Sequence, residues 1–191
     1  MSSVVRAARD GRCGVNSVVH DFARKLEFSN GANMQEDFHR IKNALRGCEH
    51  VEKTRTDVDR TGVDYFAHLK NGVVVKVDAK RREAGASRHW KGEPELAIET
   101  WSVYRTKIGW TFNSKSPVEY ILYSFEPCDS NNYYFLPFQL LRKAAFDNGR
   151  EWRDIYRERK QQSGGWESRC IFVPASVVLN AVRGAMTFVA H

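Results

Sequence analysis

The stretch Val63–Lys80, VDYFAHL-KNG-VVVKVDAK, constrains the fold of this chain more than any other. Two runs rich in β-branched and aromatic residues flank Lys70-Asn71-Gly72, and such a pair closes as a β-hairpin. With Gly72 left-handed, the three-residue loop sets Leu69 opposite Val73, and therefore Asp64 opposite Asp78. Opposed residues share a face, with Cβ atoms about 5 Å apart. Lys80 falls on that face too, because strand side chains alternate with period two. A two-residue Asn-Gly loop would instead oppose Asp64 to Ala79 and disperse the three groups.

Two facing carboxylates repel each other, and a divalent cation relieves that conflict. Hard cations such as Mg²⁺ take oxygen ligands and keep several waters. A metal-held water beside Lys80 can be oriented and deprotonated for attack on a phosphodiester, while the cation neutralises the developing charge. An Asp-x-Lys tripeptide alone is common and usually marks a solvated strand end with ordinary salt bridges. Here the apolar strand before it, the hairpin partner and the basic loop after it favour the chemical reading.

The rest of the chain alternates between helical and strand periods. Val15, Val18, Val19, Phe22 and Leu26 predict a helix over about 15–28, and Met34, Phe38, Ile41 and Leu45 a second one ended by Gly47. Asn33 is placed to cap the second helix, with Glu36 closing a capping box. A polar, edge-like strand follows from Glu49. Further strands are expected over Glu95–Ser102 and Ser116–Phe125. Tyr133–Ala144 and Cys170–Val182 each read as a strand, a proline and an amphipathic helix. Arg150–Lys160 reads as a charged helix with Trp152, Ile155, Tyr156 and Arg159 on one face, and Lys107–Lys115 as a turn anchored by Trp110.

At 191 residues the chain suits one domain, over 15–191, behind a basic N-terminal arm over 1–14. Its 30 Lys+Arg against 23 Asp+Glu leave a formal charge of +7, which favours a polyanionic partner, nucleic acid first. No apolar run is long enough to span a membrane, and the first residues lack the apolar centre of a secretory signal. Cys13, Cys48, Cys128 and Cys170 are scattered without zinc-finger spacing, so a zinc site is not expected and reduced thiols in a cytoplasmic setting are. The histidines show no spacing that demands a metal. There is no phosphate loop ending in Lys-Ser/Thr, and Ser102 and Ser176 have no partners for a Ser-His-Asp triad.

Asp64, a hairpin turn and then Asp78-Ala79-Lys80, preceded by a helix carrying an acid, resemble the signature of the PD-(D/E)XK nuclease superfamily. The resemblance covers about 34–125, and Val63 stands where the superfamily's name places proline. It implies an α/β fold, a single restriction-endonuclease-like domain whose mixed central sheet (an αβββαβ core) is flanked by helices. It also implies a Mg²⁺ or Mn²⁺ site and hydrolysis of phosphodiester bonds, with DNA preferred over RNA and endonucleolytic cutting expected. By the match, Asp64 and Asp78 are metal ligands with the Ala79 carbonyl, and Lys80 positions or activates the water. Glu36 is the best match for the helical acid, with Asp37 as its substitute and the capping box as the rival explanation. A homodimer would suit two-strand cleavage. The alternative is a catalytically inactive nucleic-acid-binding or protein-interaction module on the same fold, since fold does not guarantee activity.

Two further groups are candidates. Glu99 alternates on the Glu95–Ser102 strand, on the face of Glu95 and Trp101, as an additional active-site acid or a salt-bridge partner of nearby arginines. Arg81, Arg82, Arg88, His89, Trp90 and Lys91 follow the hairpin in one loop, and cations interleaved with an aromatic suit phosphate contact and base stacking. A solvated charged loop is the plainer reading of the same residues.

Overall fold

The computed structural model describes residues 32–55, 61–82, 92–125, 133–163 and 165–187. The arm over 1–14, the helix expected over 15–28, the loop residues Arg88, His89, Trp90 and Lys91, and Cys13 and Cys128 lie outside them.

The hairpin forms in the expected register. β2 (Tyr65–Leu69) pairs antiparallel with β3 (Val74–Arg82), setting Tyr65 opposite Val77 and Ala67 opposite Val75. The loop closes through Leu69 N–H to the Val73 carbonyl at 2.9 Å and Gly72 N–H to the Leu69 carbonyl at 2.9 Å. Gly72 has φ 81°, a conformation that costs glycine little and other residues more.

Around this hairpin a five-stranded mixed sheet assembles. The polar β1 (Cys48–Lys53) takes the edge beside β2. On its other side β3 runs parallel to β6 (Tyr120–Phe125), which pairs antiparallel with β7 (Tyr133–Pro137). Parallel neighbours need a long crossover. Here the crossover contributes to a second sheet, which the sequence reading did not anticipate. That sheet is antiparallel: β5 (Lys107–Ile108), β4 (Glu95–Val103), β9 (Trp166–Pro174) and β8 (Glu158–Ser163), in that order.

Three helices complete the described residues: α1 (Ala32–Ala44), α2 (Phe138–Tyr156) and α3 (Ala175–Thr187). None is long and apolar enough to cross a membrane. Helix α1 begins at Ala32, so Asn33 stands inside its first turn instead of capping it. Pro137 and Pro174 close their strands, and α2 and α3 start at the next residue, as the two strand-proline-helix segments predicted. The helix expected to reach Lys160 ends at Tyr156 instead. Arg157 adopts φ 59° and the chain reverses into β8, whose pairing with β9 outweighs the helical pattern. Arg159 is therefore a strand residue, and Ile155, expected on the packed face, is 58% exposed.

The mixed sheet is covered on both faces. Ile41 of α1 and Leu45, one residue past its end, pack on Val51, Tyr65, Ala67, Val75 and Val77. The other face, through Ile121, Tyr123 and Phe125, meets Leu96, Ile98, Ile171 and Val173 of the second sheet, and α2 and α3. Alternation along β3 then turns Val77 and Arg81 towards α1, and Asp78 and Lys80 towards the second sheet.

Candidate active site

The site forms where β2 ends and β3 continues. The ladder stops at Tyr65 and Val77, leaving the last residues of β3 paired through β6 alone. Asp64 sits at this opening. Its backbone is held by Thr54, whose N–H donates to the Asp64 carbonyl at 2.9 Å, and by its own N–H to the Val77 carbonyl at 2.9 Å. The next rung is made by a side chain: Ala79 N–H donates to Asp64 Oδ2 at 2.8 Å. That bond holds the Asp64 carboxylate beside Asp78, close enough for the two carboxyls to share a hydrogen bond.

Asp78 is 3% exposed, and Lys80 Nζ donates to its Oδ1 at 2.7 Å. The Lys80 ammonium also lies 5.4 Å from the centre of the Trp110 ring, a cation–π distance. Glu99 completes the surroundings. Its Oε2 accepts Ser102 Oγ at 2.6 Å and Trp110 N–H at 3.0 Å, and its charge acts on Lys80.

Burial is the largest influence on Asp64, followed by the Asp78 charge. Together with their shared hydrogen bond they push its pKa up to about 6, against the pull of Lys80 and the Ala79 N–H. Burial opposes the Lys80 charge, but the Asp78, Asp64 and Glu99 carboxylates outweigh it and hold the ammonium above its ordinary range. Two neighbouring carboxyls, both largely ionised at neutral pH and only partly compensated by Lys80, make a hard-oxygen donor pair. That donor chemistry fits a divalent cation of the Mg²⁺ class.

A pH dependence follows. The folded protein holds the Asp64 proton at pH values where the unfolded chain, with its ordinary pKa of 3.8, has released it. Stability from this group is therefore present below pH 3.8 and lost as the pH rises through about 6. The loss is up to about 3 kcal/mol. Urea unfolding with EDTA at a series of pH values should show this decline, and Asp64→Asn should remove it. An unchanged slope in the variant would assign the decline to another group.

The other expected residues are placed differently. Asp37, not Glu36, is the acid of α1 that meets the sheet. It is buried, accepts Tyr65 Oη at 2.9 Å and Arg81 at 2.7 Å, and lies 3.7 Å from Arg40. Glu36 is half-exposed and pairs with Arg40 at 3.5 Å. Helix α1 docks through Ile41 and Leu45, and that rotation turns Asp37 inward. Burial and the Asp37 carboxylate raise the Tyr65 phenol far above its ordinary range. Since Arg81 and Lys80 alternate, Asp37 approaches β3 from the face opposite Lys80.

Arg81 and Arg82 are not loop residues. Strand β3 continues through Arg82 because its parallel pairing with β6 runs on to Phe125. Both are half-buried: Arg81 is paired with Asp37, and the Arg82 guanidinium lies 4.4 Å from the Phe172 ring centre. Glu99 and Trp101 do not share a face. A bulge at Thr100 sets them opposite Cys170 and Arg169, which are adjacent and so alternate. Trp110 and Tyr65 were not read from the sequence as neighbours of the cluster. Tyr65 is adjacent to Asp64 in the chain, but nothing before folding places Trp110 near Lys80.

Comparison of the chain with protein-family models, with curated proteins and with solved structures gives no match.

Proposed function

We propose that the protein is a metal-dependent nuclease of the PD-(D/E)XK type, hydrolysing phosphodiester bonds with DNA preferred over RNA. The observation that carries this reading is the clustering of Asp64, held by the Ala79 N–H at 2.8 Å, with Asp78, held by the Lys80 ammonium at 2.7 Å. The order of α1, the β1–β2–β3 meander and the parallel β6 supports the resemblance. The β3–β6 connection departs from it, since the described crossover is built of two strands and a short 3-10 turn at Trp110–Phe112 instead of an α-helix.

Asp64 and Asp78 would hold Mg²⁺ or Mn²⁺, with the Ala79 carbonyl as a further oxygen. Once bound, the cation would supply charge neutralisation and a more acidic water. The chain's own contributions are distinct. Ala79 N–H fixes the orientation of the Asp64 carboxylate. Lys80 places a positive charge and three N–H donors beside the carboxylates, where an attacking water or a phosphate oxygen would be oriented. Trp110 and Glu99 hold that ammonium in place. The formal charge of +7 favours the approach of a polyanion.

The test is cleavage of labelled single-stranded, duplex and branched DNA, and of RNA, with Mg²⁺, Mn²⁺ or EDTA. Cutting that requires the metal and fails in Lys80→Ala supports the nuclease and names its substrate. Salt-sensitive binding retained by Lys80→Ala, without cutting under any condition, would replace this reading with the binding module.

A further inference from the structure

A second cluster forms at the edge of the mixed sheet. Strand β1 carries a register shift between Cys48 and His50, after which His50 stands opposite His68, Val51 opposite Ala67 and Glu52 opposite Phe66. Val51 and Ala67 are buried under α1. Alternation therefore puts His50, Glu52 and His68 on the face away from α1. Their side chains converge there. His68 Nε2 lies 3.1 Å from Glu52 Oε1, and the His50 and His68 rings stack with centroids 4.1 Å apart, only 8° from parallel. One ligand atom from each residue falls within a set whose members are all within 4.8 Å of one another.

We propose that His50, Glu52 and His68 form a binding site for a divalent transition metal of the Zn²⁺ class. Ligands about 2.0–2.1 Å from a tetrahedral ion stand roughly 3.4 Å apart. Unstacking the two imidazoles so that their ring planes tilt towards a common point brings this set to that spacing; His50 and Glu52 are exposed and His68 partly so. Two imidazoles and a carboxylate suit Zn²⁺, Co²⁺, Ni²⁺ or Cu²⁺, whereas Mg²⁺ prefers an all-oxygen shell. Three protein ligands leave the fourth position open to water or an exogenous donor.

The site is separate from the Asp64–Asp78 cluster in place and in chemistry. His68 lies four residues of extended chain beyond Asp64, about 13 Å, and Glu52, opposite Phe66, turns its carboxylate to His68. A metal here would tie the edge strand β1 to β2, on a ladder otherwise interrupted by its bulge.

The experiment titrates the full chain at pH 7.5 with Zn²⁺ and separately with Co²⁺, following heat of binding, the Co²⁺ absorption spectrum and thermal unfolding. Wild type is compared with His50→Gln, His68→Gln and Asp78→Asn. The expected result is a site weakened at least tenfold by either histidine substitution and retained in Asp78→Asn. Its Co²⁺ spectrum should lack a thiolate charge-transfer band, and Zn²⁺, unlike Mg²⁺, should raise the unfolding temperature in a His68-dependent way. Equal Zn²⁺ affinity in wild type and both histidine variants would overturn the proposal. So would a thiolate band, which would assign the metal to cysteine. Unfolding in EDTA, expected to be the same for wild type and the histidine variants, separates lost ligands from lost fold.

Discussion

Asp78→Asn is expected to abolish metal-dependent cleavage, by roughly a thousandfold or more, and to lower the Asp64 pKa below about 6. On the proposed function, the first effect follows from losing one of the two charged groups that would hold the cation, since the charge stabilisation it would supply amounts to several kcal/mol. The second follows from the repulsion it relieves. Burial first and the Asp78 charge second push the Asp64 pKa up to about 6, so neutralising Asp78 lets Asp64 ionise more easily. The amide oxygen can still accept the bond that Lys80 now gives to Oδ1. Lys80→Gln should act in the opposite sense on Asp64. Lys80 lowers the Asp64 pKa, so removing it should raise that pKa further and move metal binding to higher pH. Single-turnover cleavage and urea unfolding, run on the same preparations, check both. Full activity in Asp78→Asn would end the nuclease reading. An unchanged pH dependence of urea unfolding in Asp78→Asn would show that Asp78 does not act on Asp64.

Gly109→Ala should be the most damaging substitution for stability among the described glycines. With φ −63° and ψ 151°, the backbone at Gly109 suits any residue, so conformation is not the constraint. Space is. An added Cβ would meet the Glu99 carbonyl oxygen at 2.0 Å and its carbon at 2.4 Å, with the Thr100 carbonyl carbon at 2.8 Å. These are backbone atoms of β4 and cannot swing aside. Overpacking usually costs about 1–3 kcal/mol, and a clash with backbone belongs at or above the upper end. For a chain of this size that corresponds to roughly 6–12 °C in unfolding temperature. The same shift would move Glu99 away from the Trp110 N–H it accepts, and with it the ring beside Lys80, so cleavage should fall too. Gly184→Ala is the control. Its Cβ would meet nothing within 4 Å on α3, and the helix should gain about 0.5–1 kcal/mol. Thermal unfolding of both variants suffices; a Gly109→Ala protein as stable as wild type would mean that β4 and the Trp110 turn separate without cost.

Local chemistry explains why the heart of the site could be read in advance. The Lys70-Asn71-Gly72 loop selects its own register, because the left-handed Gly72 and the apolar alternation of both strands agree. That register alone brings Asp64, Asp78 and Lys80 together. Gly47, Pro137 and Pro174 likewise mark element ends by backbone preference, independently of what the elements later touch.

What lay beyond one turn or one hairpin was settled by packing. Glu36 and Asp37 are adjacent, and only the docking of α1 through Ile41 and Leu45 turns Asp37 towards Tyr65 and Arg81. Arg150–Lys160 has a helical pattern throughout, yet β9 draws Glu158–Ser163 into a sheet, because strand pairing is a long-range reward invisible to a local period. The bulge at Thr100 reverses the face of Trp101, and the second sheet brings Glu99 and Trp110 to Lys80. His50 and His68 lie on strands whose ends, Lys53 and Tyr65, are well separated in the chain, so no short loop announces their pairing. The sequence by itself determined the hairpin and its three charges, since a short loop leaves few registers open. The tertiary structure alone decided which side chains surround them, since contacts between distant segments depend on how whole faces pack.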